Sequence, residues 1–234
     1  EAVTQFQAQA YKELLPADGP VRAQIMGAIS PEKQDQAHRV KDFMNYQLMD
    51  QMKEYEPEFD QMLFYLPLTG STFKKVYYDE LLGRAVSKFI QAEDLIVPYT
   101  ANSLDDAEAI VHVIRMSKND LRKQQVGGFY KDIELGEPPI EENQIKAKQL
   151  ELEGVTANDQ QRENMYTILE VHTVLDLEDY PDIDENNEPT GIKLPYIITI
   201  DEASQYVLSI RRNYDEEDPL KKKKNYFVQF KFLP

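Results

Sequence analysis

The chain has 234 residues, a net charge of −16, 41% hydrophobic and 29% charged residues, and no cysteine. This composition provides enough apolar material for a core, so wholesale disorder is excluded. Disulfides, thiolate metal sites and a cysteine nucleophile are excluded as well, and a reducing compartment is favoured.

No apolar run reaches the roughly 20 residues that cross a bilayer, and no signal-peptide pattern is present. The chain opens at Glu1 on what reads as helix interior, so a piece of a longer protein is expected. Val3, Phe6, Ala10 and Leu14 fall at helical spacing, and Pro16, Gly19 and Pro20 break that first helix. Ser30 and Pro31 form a start signal, a capping hydroxyl before a proline at the first helical position. Ala37, Val40, Met44, Leu48, Met52 and Tyr55 continue at helical spacing, and Pro57 is expected to end or kink that helix. Phe59, Met62, Leu63 and Leu66 predict a shorter helix behind it.

The period then changes. "STFKKVYYDELLGRAVSKFIQ" reads as two strands around a turn at Gly83, "DLIVPY" as a further extended piece, and Ile110–Arg115 as another strand. Ser117 caps a helix over Lys118–Val126, Asp120 completes a box-like cap, and Gly127-Gly128 closes it. Residues 136–164 are polar and acidic, expected to be exposed and partly mobile, with a possible helix over Glu141–Leu152. "MYTILEVHTVLDL", "KLPYIITID", "YVLSIRRN" and "NYFVQFKF" predict a four-stranded antiparallel meander. The fold class expected is α+β, with N-terminal helices, a largely antiparallel β region and one or two further helices. It is read as one domain over 1–234, divided into parts 1–70, 71–135, 136–164 and 165–234.

Charge is uneven. Residues 131–188 hold 17 Asp and Glu against four Lys and Arg, leaving only −3 for the rest. Such a surface repels phosphate, so direct DNA binding is not expected. Lys221–Lys224 follow four acids, Asp215–Asp218, which predicts a solvated, self-compensating turn rather than a DNA contact. Arg211-Arg212 is expected to pair with the same acids.

Candidate chemistry is sparse. Asp182, Asp184 and Asn186 match the first ligand positions of a calcium loop, but Asn187 replaces the required glycine and Lys193 the bidentate glutamate. A solvated loop is the preferred reading. His38, His112 and His172 lie far apart in sequence, with no HExxH pairing, so no metal site is assigned. No GxSxG, P-loop or dinucleotide fingerprint occurs. No catalytic residue and no cofactor is assigned.

Three long stretches go further: "LLPADGPVRAQIMG", "SKFIQAEDLIVPYTANSLDDAEAIVHVIRMSKNDLRKQQVGGFYKDIEL" and "GIKLPYIITIDEASQYVLSIRRNYDEEDPLKKKKNYFVQFKFLP". Their wording resembles portal proteins of tailed bacteriophages and prophages, of the short-tailed-phage kind, across nearly the whole chain. The resemblance implies a non-catalytic subunit of a ring, usually of twelve copies, at one capsid vertex, with DNA passing through its channel. Implied partners are other portal subunits, capsid and scaffolding proteins, the terminase and tail adaptors. The implied location is the virion, and the host cytoplasm during assembly. The chain resembles the N-terminal wing region, truncated at both ends, with the stem and clip lying in sequence beyond Pro234. On that basis Phe43, Met44, Leu48, Met49 and Met52 are candidates for the subunit interface. Another connector or baseplate component is the alternative, and a hydrolase using acids near Asp176–Glu185 a more distant one.

Overall fold

A computed structural model describes residues 1–80, 82–137, 165–178, 180–183 and 188–232. The described residues form an α+β fold of four α-helices and two antiparallel sheets. Helix α1 spans Ala2–Leu14, α2 Pro31–Tyr46, α3 Tyr55–Thr69 and α4 Lys118–Val126. Strands β1 (Ser71–Asp79), β2 (Arg84–Ile90) and β8 (Phe227–Lys231) form one sheet in the order β2-β1-β8. The other sheet runs β3-β4-β5-β6-β7, from Leu95–Ile96, Ile110–Met116, Tyr166–Leu175, Leu194–Asp201 and Val207–Arg212.

The sequence reading treats the chain as one domain, whereas its contacts divide it into two compact units, 1–93 with 225–234, and 94–224. In the first unit, α3 supplies the core. Phe59, Met62 and Leu63 are buried with Leu15, and Ala10, Tyr11, Met49, Phe89 and Phe230 pack around them. Each fully buried Met or Leu contributes roughly 1.5–3 kcal/mol, so α3 is held by packing. Helix α2 buries none of its residues.

Two expectations are corrected here. The second helix does not run to Pro57. It ends at Tyr46, passes through a π-helical turn over Gln47–Gln51, and breaks at Met52. Pro57 stands in the first turn of α3, where its missing N–H has no intrahelical acceptor to lose. The strand over Phe227–Lys231 does not extend the meander. Of the four strands expected in it, β5, β6 and β7 follow one another after β3 and β4, while β8 pairs antiparallel with β1 from Ser71↔Lys231 to Lys75↔Phe227. A strand's alternation says which face it buries, not which edge it joins.

The local signals fare better. Ser30 accepts from Lys33 N at 3.3 Å and Ser117 from Asp120 N at 3.1 Å, capping α2 and α4 as predicted. Gly83 sits in the β1–β2 connection with a left-handed φ of 63°. In the second unit Leu121 of α4 packs on Tyr166, Ile168 and Leu208. Buried Gln125 donates to Ile133 O at 2.8 Å, tying the segment after α4 to the helix. The possible helix over Glu141–Leu152 lies outside the described residues.

Candidate functional site

The predicted interface residues separate into two groups. Phe43 and Met44 stand 58% and 43% exposed on α2, with Val40 exposed one turn before them. Spacing of three and four puts these side chains on one face of the helix. Met49 instead packs on the α3 core, and Leu48 and Met52 are half-buried around the π-helical turn. The free apolar surface is therefore Val40, Phe43 and Met44. The C-terminal end of α2 is anchored, because Asn45 Oδ1 accepts from Val21 N at 2.9 Å and Nδ2 donates to Val21 O at 3.3 Å. Gly19, at φ +87°, lies against that side chain, and a Cβ there would stand 2.4 Å from Asn45 Cγ. Only glycine fits both demands.

Between α1 and α3 lies an open cleft of about 500 Å³, lined by Gln7, Ala8, Tyr11 and Lys12 on one side and Glu56, Pro57 and Asp60 on the other. Gln7 Nε2 donates to Asp60 Oδ1 at 2.8 Å, and the Tyr11 hydroxyl donates to Glu56. That bond to a carboxylate, aided by burial, pushes the Tyr11 phenol up to about 12.

Lys74, in the middle of β1, is 4% exposed and its ammonium has no hydrogen-bond acceptor among the described residues. It lies over the rings of Tyr55 and Phe59, 4.3 and 5.0 Å from their centroids. The nearby acids are engaged elsewhere. Glu54 is held by Arg84 at 2.6 and 2.8 Å, and Glu58 accepts from Phe89 N at 2.7 Å. Burial pulls the Lys74 amine down to about 8, against a smaller opposing pull from Glu58 and Glu54.

In the second unit two lysines of the run, Lys221 and Lys223, depart from the expected solvated turn, while Lys222 and Lys224 are exposed. Lys223 Nζ donates to the carbonyls of Leu104, Asp105 and Ala107 at 3.5, 2.6 and 3.1 Å. Lys221 Nζ donates to Asp182 Oδ1, and Thr190 Oγ1 donates to Asp182 Oδ2 at 2.7 Å. These two bonds, Lys221 first, hold the Asp182 carboxyl below its ordinary range. The acids before the run mostly cap the turn. Asp218 accepts from Leu220 N at 3.0 Å and Lys222 N at 3.2 Å, and Asp215 accepts from Glu217 N at 3.2 Å. The segment is an exposed turn latched at two points, because two ammonium groups find better acceptors in neighbouring loops than in the adjacent acids. Arg212 does pair with Glu216 as predicted, but Arg211 stands 3.9 Å from Glu170.

Asp184 and Asn186 lie outside the described residues, and Asp182 has both oxygens engaged by protein donors. Two of the three histidines do share a face. His112 is opposite Glu170 in the β4–β5 register, and His172 Nε2 lies 2.7 Å from Glu170 Oε1. His38 lies on α2, in the other unit. Among the described residues no group of three His, Asp or Glu side chains is arranged to hold a metal ion. The signal for the Glu170–His172 pair was present in the alternation of β5, where Tyr166, Ile168, Glu170 and His172 take the inward positions. Lys74 and the carbonyl acceptors of Lys223 left no comparable mark. No protein-family model matches the chain, and no curated protein matches it.

Proposed function

We propose that the chain belongs to the wing region of a phage or prophage portal subunit, a non-catalytic part of the ring through which DNA enters and leaves the capsid. The observation that carries this reading is the resemblance of three long stretches, from "LLPADGPVRAQIMG" to "GIKLPYIITIDEASQYVLSIRRNYDEEDPLKKKKNYFVQFKFLP", over most of the chain. An α+β fold with an uncovered apolar helix face suits a subunit that is completed by its neighbours. A net charge of −16 suits a position away from the DNA. The hydrolase alternative is less favoured, since Asp182, its best-placed acid, is tied to Lys221 and Thr190 and held ionised rather than raised as a general acid needs. A connector or baseplate component is the nearer rival.

A stop codon early in the gene, in the phage or prophage that carries it, separates the two. Loss of a portal leaves heads without packaged DNA. Heads filled with DNA but lacking tails would overturn the portal reading in favour of a later-acting connector.

A further inference from the structure

We infer that the uncovered face of α2 docks into the α1–α3 cleft of a second copy of this chain. An isolated helix of 16 residues is only marginally stable in water, and α2 buries none of its own residues while displaying Val40, Phe43 and Met44. The same chain leaves its α1–α3 cleft open, so the helix does not fill its own cleft. The charges match across copies. Arg39 and Lys41 flank the apolar face of α2 at Val40, while Glu32 and Lys33 offset each other near the start of the helix, and Arg39 has a loose, exposed partner in Asp35 at 3.6 Å. The cleft carries Glu56 and Asp60, hydrogen-bonded to the neutral Tyr11 and Gln7, and stays net negative despite Lys12.

Both halves of the contact lie in one sequence, and they are different surfaces. Such a contact is heterologous, and repeated from copy to copy it gives a ring where its rotation closes and an open filament where it does not. The choice of a head-to-tail arrangement rests on the proposed portal reading. The contact itself does not.

The absence of cysteine gives a clean test. Gln36→Cys sits on the same face of α2, one turn before Val40, and leaves the apolar residues intact. Ala8→Cys lies in the cleft. Two differently tagged copies of the chain, one with each substitution, are mixed at high concentration and oxidised. The expected product joins Gln36→Cys to Ala8→Cys, at a yield at least tenfold above a control pairing Gln36→Cys with Tyr99→Cys in an exposed loop. Phe43→Gln, or Arg39→Glu with Lys41→Glu, should lower that yield several-fold, with circular dichroism verifying that the helices persist. A yield no higher than the control, or a product dominated by Gln36→Cys joined to itself, would overturn the proposal. A chain carrying both cysteines should give a ladder of trimers and larger species. A ladder that stops at dimers would support the contact and count against the ring. Rings of the whole gene product without the cross-link would do the reverse.

Discussion

Lys74 places an ammonium group over aromatic faces with no hydrogen-bond acceptor among the described residues, and this has a measurable pH signature. Its folded-state value is about 8 against an ordinary 10.5. Below pH 8 the amine is charged in both states and the full burial penalty applies. Between pH 8 and 10.5 the folded state gives up the proton first, so stability rises with pH through that window. Lys74→Met should therefore stabilise the first unit at pH 7, by about 3 kcal/mol at most from the width of the window, and the gain should shrink by pH 10. Urea unfolding of both proteins at pH 7 and 9.5 checks this. An equal difference at both pH values would contradict it. Above pH 10 the raised Tyr11 phenol acts oppositely, since the unfolded tyrosine ionises first and stability falls. Asp182 gives the mirror case at low pH. Its carboxyl is held down in the folded state, so its contribution is present above the unfolded value and is lost as pH falls through the folded one. None of this was legible in the sequence, where Lys74 is one of two adjacent lysines in a strand and Asp182 one of several acids.

Caps and turns were legible because they are local. Ser30, Pro31, Ser117 and Gly83 act within four residues of themselves, and each stands where its spacing predicted. Their energetic weights differ, however. Ser117→Ala should cost about 1 kcal/mol in global unfolding, because α4 presses Leu121 into the core. Ser30→Ala should change the helix content of α2 and leave the unfolding midpoint in place, because α2 buries none of its residues and its anchor, Asn45, lies at the opposite end of the helix. Circular dichroism with urea titration distinguishes the two. The latch over 213–224 was not legible, since charge balance along the chain says nothing about loops that approach from residues 104–107 and 182–190. A Glu-specific protease reports on it directly. Lys223→Met should speed cleavage after Glu216 and Glu217 several-fold by freeing the segment from its carbonyl acceptors. Lys222→Met, which removes an exposed side chain, should leave the rate unchanged.

At the level of the whole chain, the α+β class followed from the change in hydrophobic period near residue 70, and the structure has that class. The separation into two units did not, because it depends on β8 returning to β1 across about 150 residues of sequence. The candidate interface was half legible. Periodicity found the apolar residues of α2, but it could not tell Met49, turned into the α3 core, from Phe43 and Met44, turned outward. Net charge leads to a further expectation, that the chain has no measurable affinity for double-stranded DNA at physiological salt. A submicromolar dissociation constant would contradict the proposed placement of this region away from the DNA.

The ring is the central claim, and electron microscopy of the whole gene product tests it most directly. The expected result is closed rings of about a dozen copies around an open channel. Monodisperse monomers, or open filaments that never close, would contradict it.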